Sequence, residues 1–301
     1  MLKWYKDHAT AGDNALAGFK LPAYPDSIEV TLGARALLDP LFKGLLPEVS
    51  EFTFANIFLF RNTHSYRLST YQGVALISGR DRGESFFMLP FGLPAPGEVA
   101  RLFDAFSFMK NATMEQARAL GLLGYKAAPD RANFDYVYLR EELAGLKGRR
   151  LHKKKNLVNA FFSDYTHEER PLTSETLKDA AAVLDKWRGT SPVEGDYGAA
   201  AEALSLMEEL MLCGTVYYVD DAPAAYAMGE ELRPDTFVVH FEKGIDGVKG
   251  LFQFVNYSFA SKLPERYVYV NREQDLGDEG LRHAKESYKP GGFVKKFRVT
   301  R

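Results

Sequence analysis

The chain has 301 residues, enough for one large domain or two ordinary ones of roughly 150 residues each, and either is long enough to bury a sizeable apolar core. With 46% hydrophobic, 26% charged and 13% aromatic residues, the composition excludes disordered, collagen-like and low-complexity classes. Thirty-eight Lys and Arg against forty Asp and Glu leave a formal charge of −2, so no global field recruits nucleic acid or anionic membrane, and any basic partner site must be local.

After a polar lead-in to about Pro25, apolar residues at helical spacing predict a helix over Ile28–Leu46. Glu51–Phe60 reads as a buried helix, and Tyr66–Thr70, Val74–Ser78 and Ser85–Leu89 as an antiparallel meander punctuated by glycine turns. Helices over Gly97–Phe106 and Thr113–Leu122 follow, with a short apolar piece between them, and then a strand over Asp135–Leu139. The second half repeats this order. It has a strand at Tyr165–Leu172, a helix from Thr173 to Arg188 with hydroxyls available for its cap, and a second helix over Gly198–Cys213. Strands Thr215–Val219, Ala224–Leu232 and Thr236–Phe241 come next, turning at Asp220–Pro223 and Arg233–Asp235. A helix at Leu251–Lys262, a strand at Arg266–Asn271, a helix at Leu276–Tyr288 and a strand at Phe293–Val299 complete it. The repeated order predicts a duplicated α/β (α+β, mixed-sheet) fold, with domains at 1–148 and 149–301 and a basic helix over 149–163 as connector.

The single cysteine, Cys213, lies in an apolar run and reads as a buried thiol. With no disulfide framework available, the expected compartment is the reducing cytoplasm. No window approaches the ~18 to 20 apolar residues of a membrane span, and Met1–Asn14 has no signal-peptide centre. The histidines show no ligand spacing, so no metal site is expected, and neither a P-loop nor a serine-hydrolase elbow is present.

The ending AKESYKPGGF, Ala284–Phe293, carries a Tyr-x3-Gly-Phe pattern that resembles the end of many GNAT acyltransferase domains, with a weaker echo in ARALGLLGY, Ala117–Tyr125. Tyr138–Phe162, Phe252–Ala260 and Asn271–Pro290 together resemble the bacterial family named for the C-terminal domain of phosphatidylglycerol lysyltransferase. The resemblance spans nearly the whole chain. It implies two GNAT-like halves and transfer of an aminoacyl group from aminoacyl-tRNA to an amine or hydroxyl acceptor, as in the Fem-type enzymes. The lysyltransferases that modify phosphatidylglycerol carry an integral membrane portion with no counterpart here, so a small molecule, a lipid headgroup and a peptide all stay open as acceptor. Ordinary GNAT enzymes bind the pyrophosphate of coenzyme A at a loop that here reads EKGIDGVKG, without their Arg/Gln-x-x-Gly-x-Gly/Ala pattern. Gly244, Gly247 and Gly250 serve either backbone approach to a phosphate or simple turns.

Between Leu143 and Ser163 there is no acidic residue, while Lys147, Arg149, Arg150, His152, Lys153, Lys154 and Lys155 crowd together. Such a cluster is either a phosphate-binding patch, for tRNA above all, or a solvated helix face. Helical geometry places Lys154 within the apolar arc of Leu157, Val158, Phe161 and Phe162, so Lys154 is expected to be less exposed than Lys153 and to meet a carboxylate, a carbonyl or an anion. Asn271–Asp275 issue from an apolar strand that ends at the cleft of a GNAT-like sheet. Arg272 is a candidate for a donor phosphate, with Lys153, Lys154 and Lys243, and Glu273 for the acceptor's proton. Asp275 reads as a helix cap. Tyr288 follows Leu281 and Ala284 at helical spacing, which predicts a buried stripe, and it resembles the GNAT tyrosine that protonates the leaving group. No tightly bound cofactor is expected. Three readings result: transfer from aminoacyl-tRNA, an N-acyltransferase using acyl-CoA, which needs a pantetheine-sized opening between the strands ending near Phe241 and Asn271, and a catalytically silent phosphate- or RNA-binding module.

Overall fold

The computed structural model describes residues 20–190 and 195–301, so the amino-terminal stretch Met1–Asn14 lies outside it. The chain divides into two compact units, one ending at Asp130 and completed by Lys296–Arg301, the other Arg131–Lys295. Among the described residues no helix is long and apolar enough to cross a membrane.

The first unit carries α1 (Arg35–Leu45), α2 (Phe54–Leu59), α3 (Arg61–His64), α4 (Pro96–Ala105) and α5 (Met114–Leu122). Its strands are β1 (Ile28–Glu29), β2 (Arg67–Tyr71), β3 (Val74–Asp81), β4 (Glu84–Met88), β5 (Phe108–Ala112), β6 (Lys126–Pro129) and the last strand of the chain, β14 (Phe297–Thr300). They form one sheet in the order β1-β2-β3-β4-β5-β14-β6. The hairpins close tightly for a local reason: Gln72-Gly73 and Arg82-Gly83 all have positive φ, the backbone of the two-residue turn that matches strand twist. Thr113 and Gln116 form a reciprocal capping box that starts α5, as its sequence implies. Leu76, Phe87, Leu102, Leu120 and Val299 build the core between sheet and helices. Lys296, fully buried, enters β14 paired with Glu51.

The second unit carries α6 (Arg140–Gly145), α7 (His152–Asp164), α8 (Leu177–Thr190), α9 (Tyr197–Ser205), α10 (Leu251–Lys262) and α11 (Glu279–Glu286). Its strands are β7 (Asp135–Leu139), β8 (His167–Pro171), β9 (Cys213–Val219), β10 (Ala222–Arg233), β11 (Thr236–Gly244), β12 (Tyr269–Asn271) and β13 (Gly292–Val294). The sheet order is β13-β7-β12-β11-β10-β9-β8. Read from the meander end, it has the same order as the first sheet, and each contains one parallel pair, β4–β5 and β11–β12. Asp220 and Asp221, both with positive φ, turn β9 into β10. Phe254, Val255 and Phe259 of α10 pack on Tyr217, Phe237 and Val239 of the sheet, with Phe161 of α7 against them.

The division at 130/131 differs from the expected 148/149, and the last expected strand is two. Each sheet fills the slot between its fifth and sixth strands with a segment from elsewhere in the chain. β7, expected in the first half, pairs with β12 and β13. β14 pairs with β5 and β6. Local pattern shows that such segments are strands but carries no information about their partners. The basic helix, placed as a connector, belongs to the second unit. The helix expected over Gly198–Cys213 ends at Ser205. Met211 takes a left-handed backbone, and Cys213, expected to be buried, begins β9 exposed.

Candidate active site of the second unit

The parallel pair β11–β12 holds register only from Thr236↔Tyr269 to Val238↔Asn271. Beyond it β11 continues to Gly244 while the chain turns out of β12 into Arg272–Asp275. A bulge in β11, where the register to β10 shifts between Met228 and Gly229, sends its polar residues to different neighbours. Glu242 accepts from Asn256 Nδ2 of α10 at 2.7 Å. Lys243, next in the chain, lies 3.7 Å from the centre of the Trp187 ring of α8 and donates to Asp196 at 2.5 Å.

Arg272 fills the opening between the diverging strands. Its Nη2 donates to Glu242 Oε2 at 3.0 Å, while Nη1 is buried with no hydrogen-bond partner. Tyr138 and Tyr288 present their rings to the guanidinium at 5.8 and 5.4 Å. Lys154 reaches the same Tyr288 ring from α7, its Nζ 4.3 Å from the centroid. Lys154 is half-buried and Lys153 exposed, as the helix phase predicts. In place of the expected carboxylate, carbonyl or anion, Lys154 meets this π face, a favourable site for a cation. Burial first, and then the charge of Arg272, lower the Lys154 pKa. The Tyr288 hydroxyl is buried near the Gln253 side chain without a hydrogen bond of good geometry, and burial, opposed by Arg272, holds its phenol far above the usual range. A cavity of ≈ 10 Å³ beside Arg272, Glu242, Asn256 and Val270 has room for about one water. It is far too small for a pantetheine arm.

Glu273 turns to a different group. Its carboxylate contacts His240 Nδ1 at 2.7 Å, and Glu230 meets His240 Nε2 at 3.0 Å. Burial alone would lower the imidazole pKa, but Glu273 and Glu230 outweigh it and push it up to about 10. His240 is therefore a buried imidazolium between two carboxylates. Glu273 sits at φ 54°, with its N–H donating to Asn271 Oδ1 at 2.8 Å and its carbonyl accepting from Tyr136. The surroundings thus hold a left-handed non-glycine residue in place.

The Arg272–Gln274 segment is pinned from α11. Lys285 Nζ donates to the Arg272 and Gln274 carbonyls at 2.6 and 2.5 Å, and burial, followed by Arg272, brings its pKa down to about 8. This overturns the expected stripe: Leu281 and Ala284 are exposed, and Lys285 and Tyr288 are the buried residues. A lysine with two carbonyl acceptors fixes the phase that apolar spacing assigned to Leu281. Asp275 also departs from expectation. The cap of α11 is Asp278, which accepts from the Leu281 N–H at 2.6 Å, while Asp275 is fully buried under Arg131, Arg282 and Tyr136. Gly247 and Gly250 both have positive φ. A Cβ on Gly250 would stand 2.5 Å from the Leu157 carbonyl, so this glycine serves a turn and the close approach of α10 to α7.

Of the residues singled out from sequence, the structure brings Arg272, Tyr288 and Lys154 together. Lys243 and Glu273 have other neighbours, and Lys153 stands on the surface. His240, Glu230, Glu242, Asn256 and Lys285 went unnoticed, although His240 and Glu242 inside the apolar strand FVVHFEKG were a visible sign.

A model of the family described as "Phosphatidylglycerol lysyltransferase, C-terminal" matches residues 42–300. No curated protein matches the chain. Among solved structures, a conserved protein of unknown function from Bacteroides thetaiotaomicron VPI-5482 is 26% identical, with 93% of this chain and 99% of that one covered and a TM-score of 0.82. L-PGS from Bacillus licheniformis is 14% identical over 94% of each chain at TM-score 0.60. FemX is 9% identical over 91% and 96% at TM-score 0.54. The strand order, the diverging parallel pair and these likenesses identify a tandem GNAT-like acyltransferase fold, and the chain belongs to the phosphatidylglycerol lysyltransferase C-terminal family.

Proposed function

We propose that the protein transfers an aminoacyl group from aminoacyl-tRNA to an amine or hydroxyl acceptor. The observation that carries this reading is the basic run at the start of α7. Lys147, Arg149, Arg150, Lys153 and Lys155 are exposed, and none forms an ion pair with a described carboxylate. Three lysines occupy the first turn of α7, which has no acidic residue and no capping side chain. Cations at the positive end of a helix cost about 0.3–1 kcal/mol each, a cost that a polyanion removes. An RNA backbone supplies that charge and gains counterion release. The acyl-CoA alternative finds less support, because the loop EKGIDGVKG lacks the glycine pattern that cradles the coenzyme A pyrophosphate and its Gly250 packs against α7.

In the transfer, the acceptor nitrogen or oxygen attacks the ester carbonyl of the donor. A C–N or C–O bond forms, the bond to the ribose oxygen breaks, and the acceptor's proton is taken up by Glu273, directly or through water, and passed to the departing oxygen. The test is a donor screen with purified protein, charged tRNAs against acyl-CoA species, followed by Glu273→Gln. Binding and turnover of a charged tRNA, with E273Q lowering turnover more than donor affinity, is the expected result. Binding of acyl-CoA with no affinity for charged tRNA would overturn it.

A further inference from the structure

We infer that Lys154, Arg272 and Tyr288 form a phosphate-binding notch at the amino end of α7, and that Tyr288 is a ligand of the bound phosphate rather than a proton donor to the leaving group. The inference rests on the reading of the donor as RNA and names the group that the protein grips. Two cations converge on one tyrosine ring, at 4.3 and 5.4 Å from its centre. Glu242 neutralises one side of Arg272, and Lys154 has no carboxylate among the described residues. The donors left over are Arg272 Nη1, buried without a hydrogen-bond partner, and the Tyr288 hydroxyl, buried near the Gln253 side chain but forming no hydrogen bond of good geometry. Unsatisfied buried donors are costly, and like charges brought together add to that cost. An anion with several acceptor oxygens relieves both, and a phosphate ester has an oxygen for each of the three donors grouped about this ring, which a carboxylate with two oxygens lacks. Lys154 covers the ring with a flexible four-carbon stem, so it can lift and close over the anion. Burial keeps the phenol protonated, the state in which it donates to phosphate oxygen.

The probe is inorganic pyrophosphate, titrated calorimetrically into the full chain, beside charged tRNA in a separate series. Lys154→Gln and Tyr288→Phe should each weaken pyrophosphate binding by about tenfold or more, the loss of one charge-assisted hydrogen bond. Lys178→Gln removes the same charge from an exposed lysine of α8, outside the basic run, and should change it by less than about threefold. Lys154→Arg should restore most of the affinity, which separates the loss of a ligand from misfolding. Equal effects of K178Q and K154Q, or wild-type affinity in Y288F, would overturn the notch. If Y288F instead binds pyrophosphate normally and loses only turnover, Tyr288 is the acid. Pyrophosphate affinity that depends on Lys154 and Tyr288 without any affinity for charged tRNA supports the notch and overturns the RNA donor. Turnover of charged tRNA with no pyrophosphate binding does the reverse.

Discussion

Asp275→Asn keeps the shape of the side chain and removes its charge from a buried carboxylate that accepts five hydrogen bonds. Asp275 accepts from Arg282 twice at 2.9 Å, from Arg131 at 3.0 Å, from the Tyr136 hydroxyl at 2.6 Å and from the Gly277 N–H at 2.9 Å. Breaking a buried ion pair costs about 3–5 kcal/mol when the surviving charge stays buried. Arg131 and Arg282 are 36% and 34% exposed and recover hydration, which puts the loss near 3 kcal/mol, the lower end of that range. With a urea slope of about 2 kcal/mol/M, the unfolding midpoint of the second unit should fall by about 1.5 M. Trp187 fluorescence follows the transition. The pH dependence supplies a second check. Burial raises the Asp275 carboxyl, but Arg282, Tyr136 and the Gly277 N–H outweigh it and hold it well below the usual carboxylate range. A depressed folded-state value stabilises above the unfolded value of about 3.9 and is lost as pH falls toward the folded one. The gap between parent and D275N should therefore be full near neutral pH and narrow below about pH 4. A midpoint within about 0.3 M of the parent, or a gap that widens in acid, would refute the reasoning.

His240 should remain an imidazolium at pH 8 by nitrogen-resolved NMR, because its pKa is pushed up to about 10. Its contribution to stability is full below the unfolded value of about 6.5 and lost as pH rises through about 10, so titration near 6.5 would contradict the Glu–His–Glu arrangement. Lys296→Met removes the buried ammonium that faces the Glu51 carboxylate and should destabilise the first unit by about 3–5 kcal/mol. The double variant K296M/E51L should regain most of that in a thermal melt, and no recovery would mean that the pair is not the cause. Gly250→Ala places a side chain at φ +82° with its Cβ 2.5 Å from a carbonyl oxygen. It should cost roughly 1–3 kcal/mol by urea titration, and a neutral result would show that α10 and α7 part easily.

Much of the fold was legible in the chain because its elements obey local rules. Two-residue turns at Gln72-Gly73 and Asp220-Asp221, the capping box of Thr113 and Gln116, and helical spacing in α4, α5 and α10 depend on neighbours a few residues away. The same locality made Lys154 readable, since its place in the arc of Leu157, Val158 and Phe161 follows from rotation about one helix axis. The repeated element order and the ending Tyr288–Phe293 pointed to the duplicated fold before any partner was known.

Tertiary structure alone decided which strands pair across the chain and which polar groups meet. β7 and β14 each add to a sheet whose other strands lie far away in sequence, and backbone hydrogen bonding carries no address that periodicity can read. Leu281 was misassigned in phase and Asp275 in role for a related reason. A buried lysine with two carbonyl acceptors, or a carboxylate under two arginines, is stable inside only because of partners up to 144 residues away. Apolar spacing ranks burial by side-chain type, whereas the candidate site buries charge, and burying charge is tolerable only where the fold supplies its complement.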